Sequence, residues 1–197
     1  MPVQRFVIRV VVALVVVLVG AVVATRPMVG PGALPSTVAT GTPGSDTVSG
    51  VAIGQLAPEF VLDDGTSLLA GLDGAPIRID GFRGRPVWIV FWATWCVPCQ
   101  EEAAEIEAAY QANRDSGLAV LAIDVQEPRA IVRSYVEAHG LGYTIGIDAT
   151  AAVEHLLGVK GLPAHLFLDG RGIIRDRYAG QLTGELMADR LAIILPR

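Results

Sequence analysis

The only two cysteines of this 197-residue chain stand three positions apart in Trp95-Cys96-Val97-Pro98-Cys99, directly after the apolar run VWIVFW at Val87 to Trp92. Two thiols at that spacing can close a small disulfide when the first lies at a helix N-terminus and the second one turn on. The free N–H groups and dipole at such an end favour negative charge on the Cys96 sulfur, so its pKa is expected below the usual value of about 8.5. Cys96 is then the attacking thiolate. Cys99, shielded one turn in, is the resolving thiol that releases a mixed disulfide. Pro98 suits a first helical turn, where its missing N–H would have no acceptor in any case.

The same spacing is also half of a zinc site, but structural zinc usually takes four ligands. Only His139, His155 and His165 could join the cysteines, and no two of them form a spaced pair. A purely structural disulfide is also a weak reading, because so short a loop constrains the unfolded chain little. The expectation is a redox dithiol with no metal and no cofactor.

The elements around the cysteines suit that role. VWIVFW is continuous, β-branched and aromatic, as in a strand buried on both faces. Gln100 to Asn113 is rich in Glu and Ala, with Ala103, Ile106 and Tyr110 at helical spacing. Upstream, Ala57 to Phe60 is expected to be a short strand followed by a turn at Asp63 to Ser67, with Ile77, Ile79 and Phe82 as its hairpin partner. Downstream, Leu118 to Val125 reads as a second buried strand. Pro128 opens a helix with Ile131, Val132, Tyr135 and Val136 on one face, and Gly140 ends it. Tyr143 to Asp148 is a short strand and Ala149 to Leu157 a short helix. His165 to Leu168 and Ile173 to Tyr178 form a hairpin about the turn DGRG, and Glu185 to Leu195 is a closing helix. The order predicts an α/β domain with a central, mostly parallel sheet, helices on both faces and an antiparallel C-terminal hairpin.

The N-terminal quarter differs. Arg5 and Arg9 precede the uncharged run Val10 to Ala24, and a basic flank of this kind stays in the cytoplasm while the following chain crosses the membrane. The run holds about 15 residues, a signal-peptide length, and reaches the roughly 20 of a span once Phe6 to Ile8 are added with Arg9 snorkelling. A retained single-pass anchor over residues 1–24 is expected, with cleavage after Ala24 as the alternative. No cysteine near it permits lipid attachment. Residues 25–54, dominated by Gly, Pro, Ser, Thr, Ala and Val, read as a flexible linker, and residues 55–197 as the folded domain. The net charge of −5, from interspersed residues, does not point to nucleic acid.

FWATWCVPC after a buried strand, with GQLAPEF upstream and GVKGLPAHLFLDG downstream, resembles the membrane-anchored thioredoxin-like proteins of the TlpA, ResA and CcmG type. The resemblance spans Gly54 to Arg197. It implies a thioredoxin fold on the extracytoplasmic face of the cell membrane. The implied activity is thiol exchange with exported protein disulfides or dithiols, as in cytochrome c maturation, with electrons from a transmembrane donor. Cys96 and Cys99 match the redox cysteines, and Val97 and Pro98 the tuning dipeptide. Pro163 matches the cis-proline beside the dithiol, and Leu162 before it would offer main-chain groups to a substrate strand. Glu102 matches the acid that ResA-like proteins place near the resolving cysteine. A carboxylate of raised pKa there would take the proton from Cys99, although its neighbours Glu101, Glu105 and Glu107 also suit a solvated face.

Departures from the pattern bear on the proton path. Cytosolic thioredoxins carry a buried Asp where this chain has Val90, which turns attention to Glu102. Ala104 replaces a helix-kinking proline, and Ala164 and His165 replace the polar pair after the cis-proline. His165 is read as a packed strand histidine. Trp92 is assigned to the core, and Trp95 to the rim of a binding surface. Two alternatives belong to other classes. A copper-binding module would use the thiolates for a soft ion, but on related folds it tends to have a wider cysteine spacing and a dedicated histidine. A peroxiredoxin-like peroxidase needs a threonine at a fixed offset from its cysteine, and Thr94 is wrongly placed.

Overall fold

The computed structural model describes residues 51–196, so the expected anchor at residues 1–24 and most of the expected linker lie outside the described part. Among the described residues no helix is long and apolar enough to cross a membrane. Within the described part, residues just upstream of Gln55 are tied to the domain: the Gly54 N–H donates to the Ile174 carbonyl at 2.8 Å, and Arg177 donates to the Val51 carbonyl.

The apolar runs form the strands they predict. β3, Val87–Trp92, and β4, Ala119–Val125, are buried at every residue. They are the middle of a seven-stranded sheet whose other members are β1 (Leu69–Gly71), β2 (Pro76–Ile77), β5 (Thr144–Asp148), β6 (Ala164–Leu168) and β7 (Ile174–Ala179), in the order β2-β1-β5-β4-β3-β6-β7. Only β3/β4 and β4/β5 are parallel; β1/β2, β1/β5, β3/β6 and β6/β7 are antiparallel. The sheet is therefore mixed, not mostly parallel. The expected C-terminal hairpin is present, and a second antiparallel ribbon closes the opposite edge. That ribbon is also not where the sequence pattern put it. Residues 57–60 form no strand, Val61 and Ser67 make only an isolated bridge, and Ile79–Phe82 is a 3-10 turn. Side chains of Ala57, Phe60 and Ile79 instead plug one face of the sheet as core residues. An apolar spacing made by loop side chains docking on a core imitates strand alternation.

The helices are α1 (Val97–Asn113), α2 (Arg129–His139), α3 (Ala152–Leu156) and α4 (Gly184–Ile194). Side chains from α1, α2 and α4 pack with Trp88, Val90 and Trp92 on one face. Val153 of α3 packs with Ile89 and Phe91 on the other. Within α2, Val132 and Val136 are buried, whereas Ile131 is exposed. Gly140 ends α2 in the left-handed conformation, as glycine does without a Cβ clash.

Candidate active site

β3 delivers the chain to the C-terminal end of the parallel strands, where α1 begins. Cys96 is the N-cap of α1 and Pro98 lies in the first turn, so the sulfur of Cys96 sits at the positive end of a 17-residue helix. Burial opposes that field: Cys96 is 5% exposed and Cys99 2%. The two sulfurs are joined in a disulfide across a Cα–Cα distance of 5.2 Å.

The turn before Cys96 is held from both sides. Glu127, just past the end of β4, accepts from the Thr94 N–H at 2.5 Å and from the Thr94 hydroxyl at 2.6 Å. The Gln100 side chain donates to the Thr94 carbonyl at 2.5 Å. All three polar groups of Thr94 are thereby engaged.

In front of Cys96 lies a groove of about 730 Å³. One wall is Trp95, Val97 and Pro98, and the other holds Gly161 and Leu162. Cys96 lines it and Cys99 does not, although both residues are buried. The Leu162–Pro163 peptide is cis. Pro163 is buried behind Leu162, and its carbonyl accepts from the Gly180 N–H at 2.9 Å. Trp95 and Val97 are 66% and 60% exposed, an unusual surface placement for large apolar side chains beside a reactive group. Trp92, by contrast, is core.

Glu102 stands on the inner side of the same helix, one turn beyond Cys99, and is 1% exposed. The solvated-face alternative does not hold for it. Its Oε2 accepts from the Leu182 N–H at 2.9 Å. Its Oε1 lies 3.5 Å from His165 Nε2, in a geometry that makes no hydrogen bond. Burial, only partly offset by the Leu182 bond, pushes the Glu102 carboxyl up to about 7. His165 is the packed strand histidine expected, with one addition: it touches that carboxyl. The Trp88 indole N–H donates to its Nδ1 at 3.3 Å and its Nε2 faces the Gly180 carbonyl at 3.2 Å, which assigns the neutral Nε2–H tautomer. Burial pushes the imidazole down to about 4.

The structure thus gathers Trp95, Cys96, Val97, Pro98 and Leu162 at one groove, and places Cys99 and Glu102 behind it. Sequence reasoning missed Val125, Gln126 and Glu154, which complete the groove, and the Glu127 clamp. It also missed Asp124, fully buried in β4 opposite Trp92, with neither carboxylate oxygen partnered among the described residues. A single carboxylate inside the otherwise apolar run LAVLAIDV was the available signal. Among the described residues no cluster of three or more His, Cys, Asp or Glu side chains could hold a metal ion.

Reversible exchange of this disulfide with that of another molecule is the chemistry such a groove permits, and the chain is a thioredoxin-like thiol:disulfide oxidoreductase. It belongs to the AhpC/TSA family, whose model matches residues 53–177. It is 34% identical over 146 residues to the thiol-disulfide oxidoreductase ResA of Geobacillus thermodenitrificans, covering 74% of this chain and 80% of that one. Two solved structures share the fold. A thiol:disulfide interchange protein from Chlorobium tepidum has a TM-score of 0.62 at 22% identity, over 74% of this chain and 99% of its own. A secreted disulfide oxidoreductase of Mycobacterium tuberculosis has a TM-score of 0.57 at 23% identity, over 62% and 92%.

Proposed function

We propose that the chain is an extracytoplasmic reductase of disulfides in exported proteins, such as apocytochrome c. In this reading residues 1–24 tether it to the cell membrane, and a transmembrane donor re-reduces it. The observation that carries the reading is the division of labour at the dithiol. Cys96 alone faces the groove, and a buried acid that ionises near neutral pH stands one turn behind Cys99.

In the reduced protein the Cys96 thiolate attacks one sulfur of a substrate disulfide lying along the Leu162 wall. A Cys96–substrate bond forms, and the other substrate sulfur leaves as a thiolate that takes a proton from solvent. Glu102 Oε1, which has no hydrogen-bond partner among the described residues, accepts the Cys99 proton. The Cys99 thiolate then attacks Cys96, which breaks the mixed disulfide and expels the second substrate sulfur as a thiolate that takes a proton from solvent. Two electrons have passed to substrate, and the protein is left as the Cys96–Cys99 disulfide. The leftover proton on Glu102 is returned when the donor reduces the pair. Relatives named ResA support the class of reaction, and the basic N-terminal flank before an apolar run supports the location.

Equilibration with a glutathione redox buffer tests the direction. The proposal expects a potential clearly more negative than that of glutathione. A potential near or above it would make the protein an oxidant or isomerase instead.

A further inference from the structure

The groove beside Cys96 is lined mainly by apolar side chains, and Glu154 on α3 is the only acidic or basic residue among those that line it. Its main chain is fixed from behind. The Glu154 N–H donates to Asp148 Oδ2 at 2.9 Å, and Asp148, fully buried on β5, holds the Ala152 and Val153 N–H groups as well. The Glu154 side chain is half-buried and forms no ion pair among the described residues. The basic residues nearest to it in the chain are placed elsewhere: His155 Nδ1 lies 2.5 Å from the Ala151 carbonyl, and Lys160 borders a separate cavity with Val159 and Arg177. A carboxylate sharing a groove with an attacking thiolate does not help that thiolate form, because like charges disfavour one another. Its use is then on the substrate side.

We propose that Glu154 is a specificity-determining residue, and that the groove takes disulfides in extended segments carrying Lys or Arg close to the reacting cysteine. Leu162 makes no main-chain hydrogen bond among the described residues, so a segment can lie along that wall with its cysteine at Cys96 and pass Glu154. A Lys or Arg side chain matches what it would meet there. Its apolar stem lies against Val125 and Leu162 while its cation meets the one carboxylate of the lining. A flanking Asp or Glu meets like charge instead, so the groove discriminates by repulsion as well as by attraction. Because the carboxylate is half-exposed, the selectivity is several-fold and falls with salt.

The inference rests on the groove being the substrate site of the proposed reductase, and its test reads a charge preference that does not depend on which way electrons flow. Reduced full chain is mixed with two synthetic peptides that differ only in having Lys or Glu beside a single cysteine, which is blocked as a mixed disulfide with thionitrobenzoate. The Cys96 thiolate bonds the peptide sulfur and expels thionitrobenzoate, whose absorbance is followed by stopped flow. The Lys peptide should react about three- to fivefold faster than the Glu peptide in about 20 mM salt, and the ratio should approach one in about 0.5 M salt. Glu154→Gln should bring the low-salt ratio close to one, and Glu154→Lys should invert it. Glu137→Gln, exposed on α2 and outside the groove, removes the same formal charge and should keep the wild-type ratio. All variants should react alike with the neutral 2-hydroxyethyl disulfide. Oxidised protein and the same peptides as free thiols should show the same order of rates, so a potential that overturned the reductase reading would leave this preference standing. A ratio near one in the wild type at low salt, or one that Glu154→Gln leaves intact or Glu137→Gln abolishes equally, would overturn the proposal.

Discussion

Glu102 Oε1 and His165 Nε2 lie 3.5 Å apart with both side chains sealed from solvent, and between about pH 4 and 7 both are neutral. What looks like a salt bridge by distance is a pair of uncharged groups, because burial disfavours either ion more than the other group can compensate. The consequence is a carboxyl that changes charge in the range where thiols begin to ionise.

Stability should report that carboxyl. The folded-state pKa of Glu102, about 7, lies above its reference of 4.5, so the folded protein binds the extra proton between those values. Its contribution is lost as pH rises through 7. His165 acts oppositely: its pKa falls from 6.5 to about 4, so stability is lost as pH drops through that window. Glu102→Gln removes only the first effect. Denaturant unfolding of the oxidised proteins should show the variant more stable than wild type at pH 8, by on the order of 3 kcal/mol, with little difference at pH 4.5. Equal stabilities at pH 8 would contradict the assignment.

Resolution should depend on the same group. With Glu102→Gln, the Cys96–substrate mixed disulfide should persist, its decay slowed at least tenfold, and the rise of the decay rate from pH 6 to 8 should flatten. The first attack by Cys96 should change far less. Stopped-flow measurement of both phases separates the two.

Trp95 is large, apolar and 66% exposed at the groove, so its value is in contact with a partner and not in holding the fold. Trp95→Ala should leave the unfolding free energy within about 0.5 kcal/mol of wild type. It should raise KM for a protein disulfide several-fold while hardly changing the reaction with a small disulfide such as oxidised dithiothreitol.

The second antiparallel ribbon depends on a close approach. A Cβ at Gly146 would lie 2.7 Å from a methyl carbon of Leu69, which is fully buried. Gly146→Ala should cost about 1–3 kcal/mol through overpacking. Adding Leu69→Val should restore part of it, a coupling that thermal melts of the single and double variants would reveal.

Which of these features the sequence disclosed follows from how far apart in the chain their partners lie. Cys96, Cys99 and Pro98 are local, so their spacing alone placed the dithiol at a helix start. β3 and β4 announced themselves as unbroken apolar runs. Pro163 and Glu102 were reachable only through family resemblance; the Leu162–Pro163 peptide is cis, and Glu102 is buried one turn past Cys99 on the same helix. The Glu127 clamp on Thr94 spans 33 positions, and the Glu102–His165 approach joins a helix to a strand 63 positions away. Such pairs depend on strand register and helix rotation, which no composition or period encodes. The edge hairpin was misplaced for a related reason. Phe60 and Ile79 are apolar because they cover a sheet face from loops, and burial of that kind has no period.

The central claim is that Cys96 attacks and Cys99 resolves, and covalent trapping tests it most directly. Cys99→Ser and Cys96→Ser proteins, each mixed with a disulfide-bonded substrate, are to be resolved by non-reducing mass spectrometry. The account predicts a stable adduct on Cys96 of the Cys99→Ser protein and none above background on the Cys96→Ser protein. Equal trapping by the two, or adducts formed only through Cys99, would contradict it.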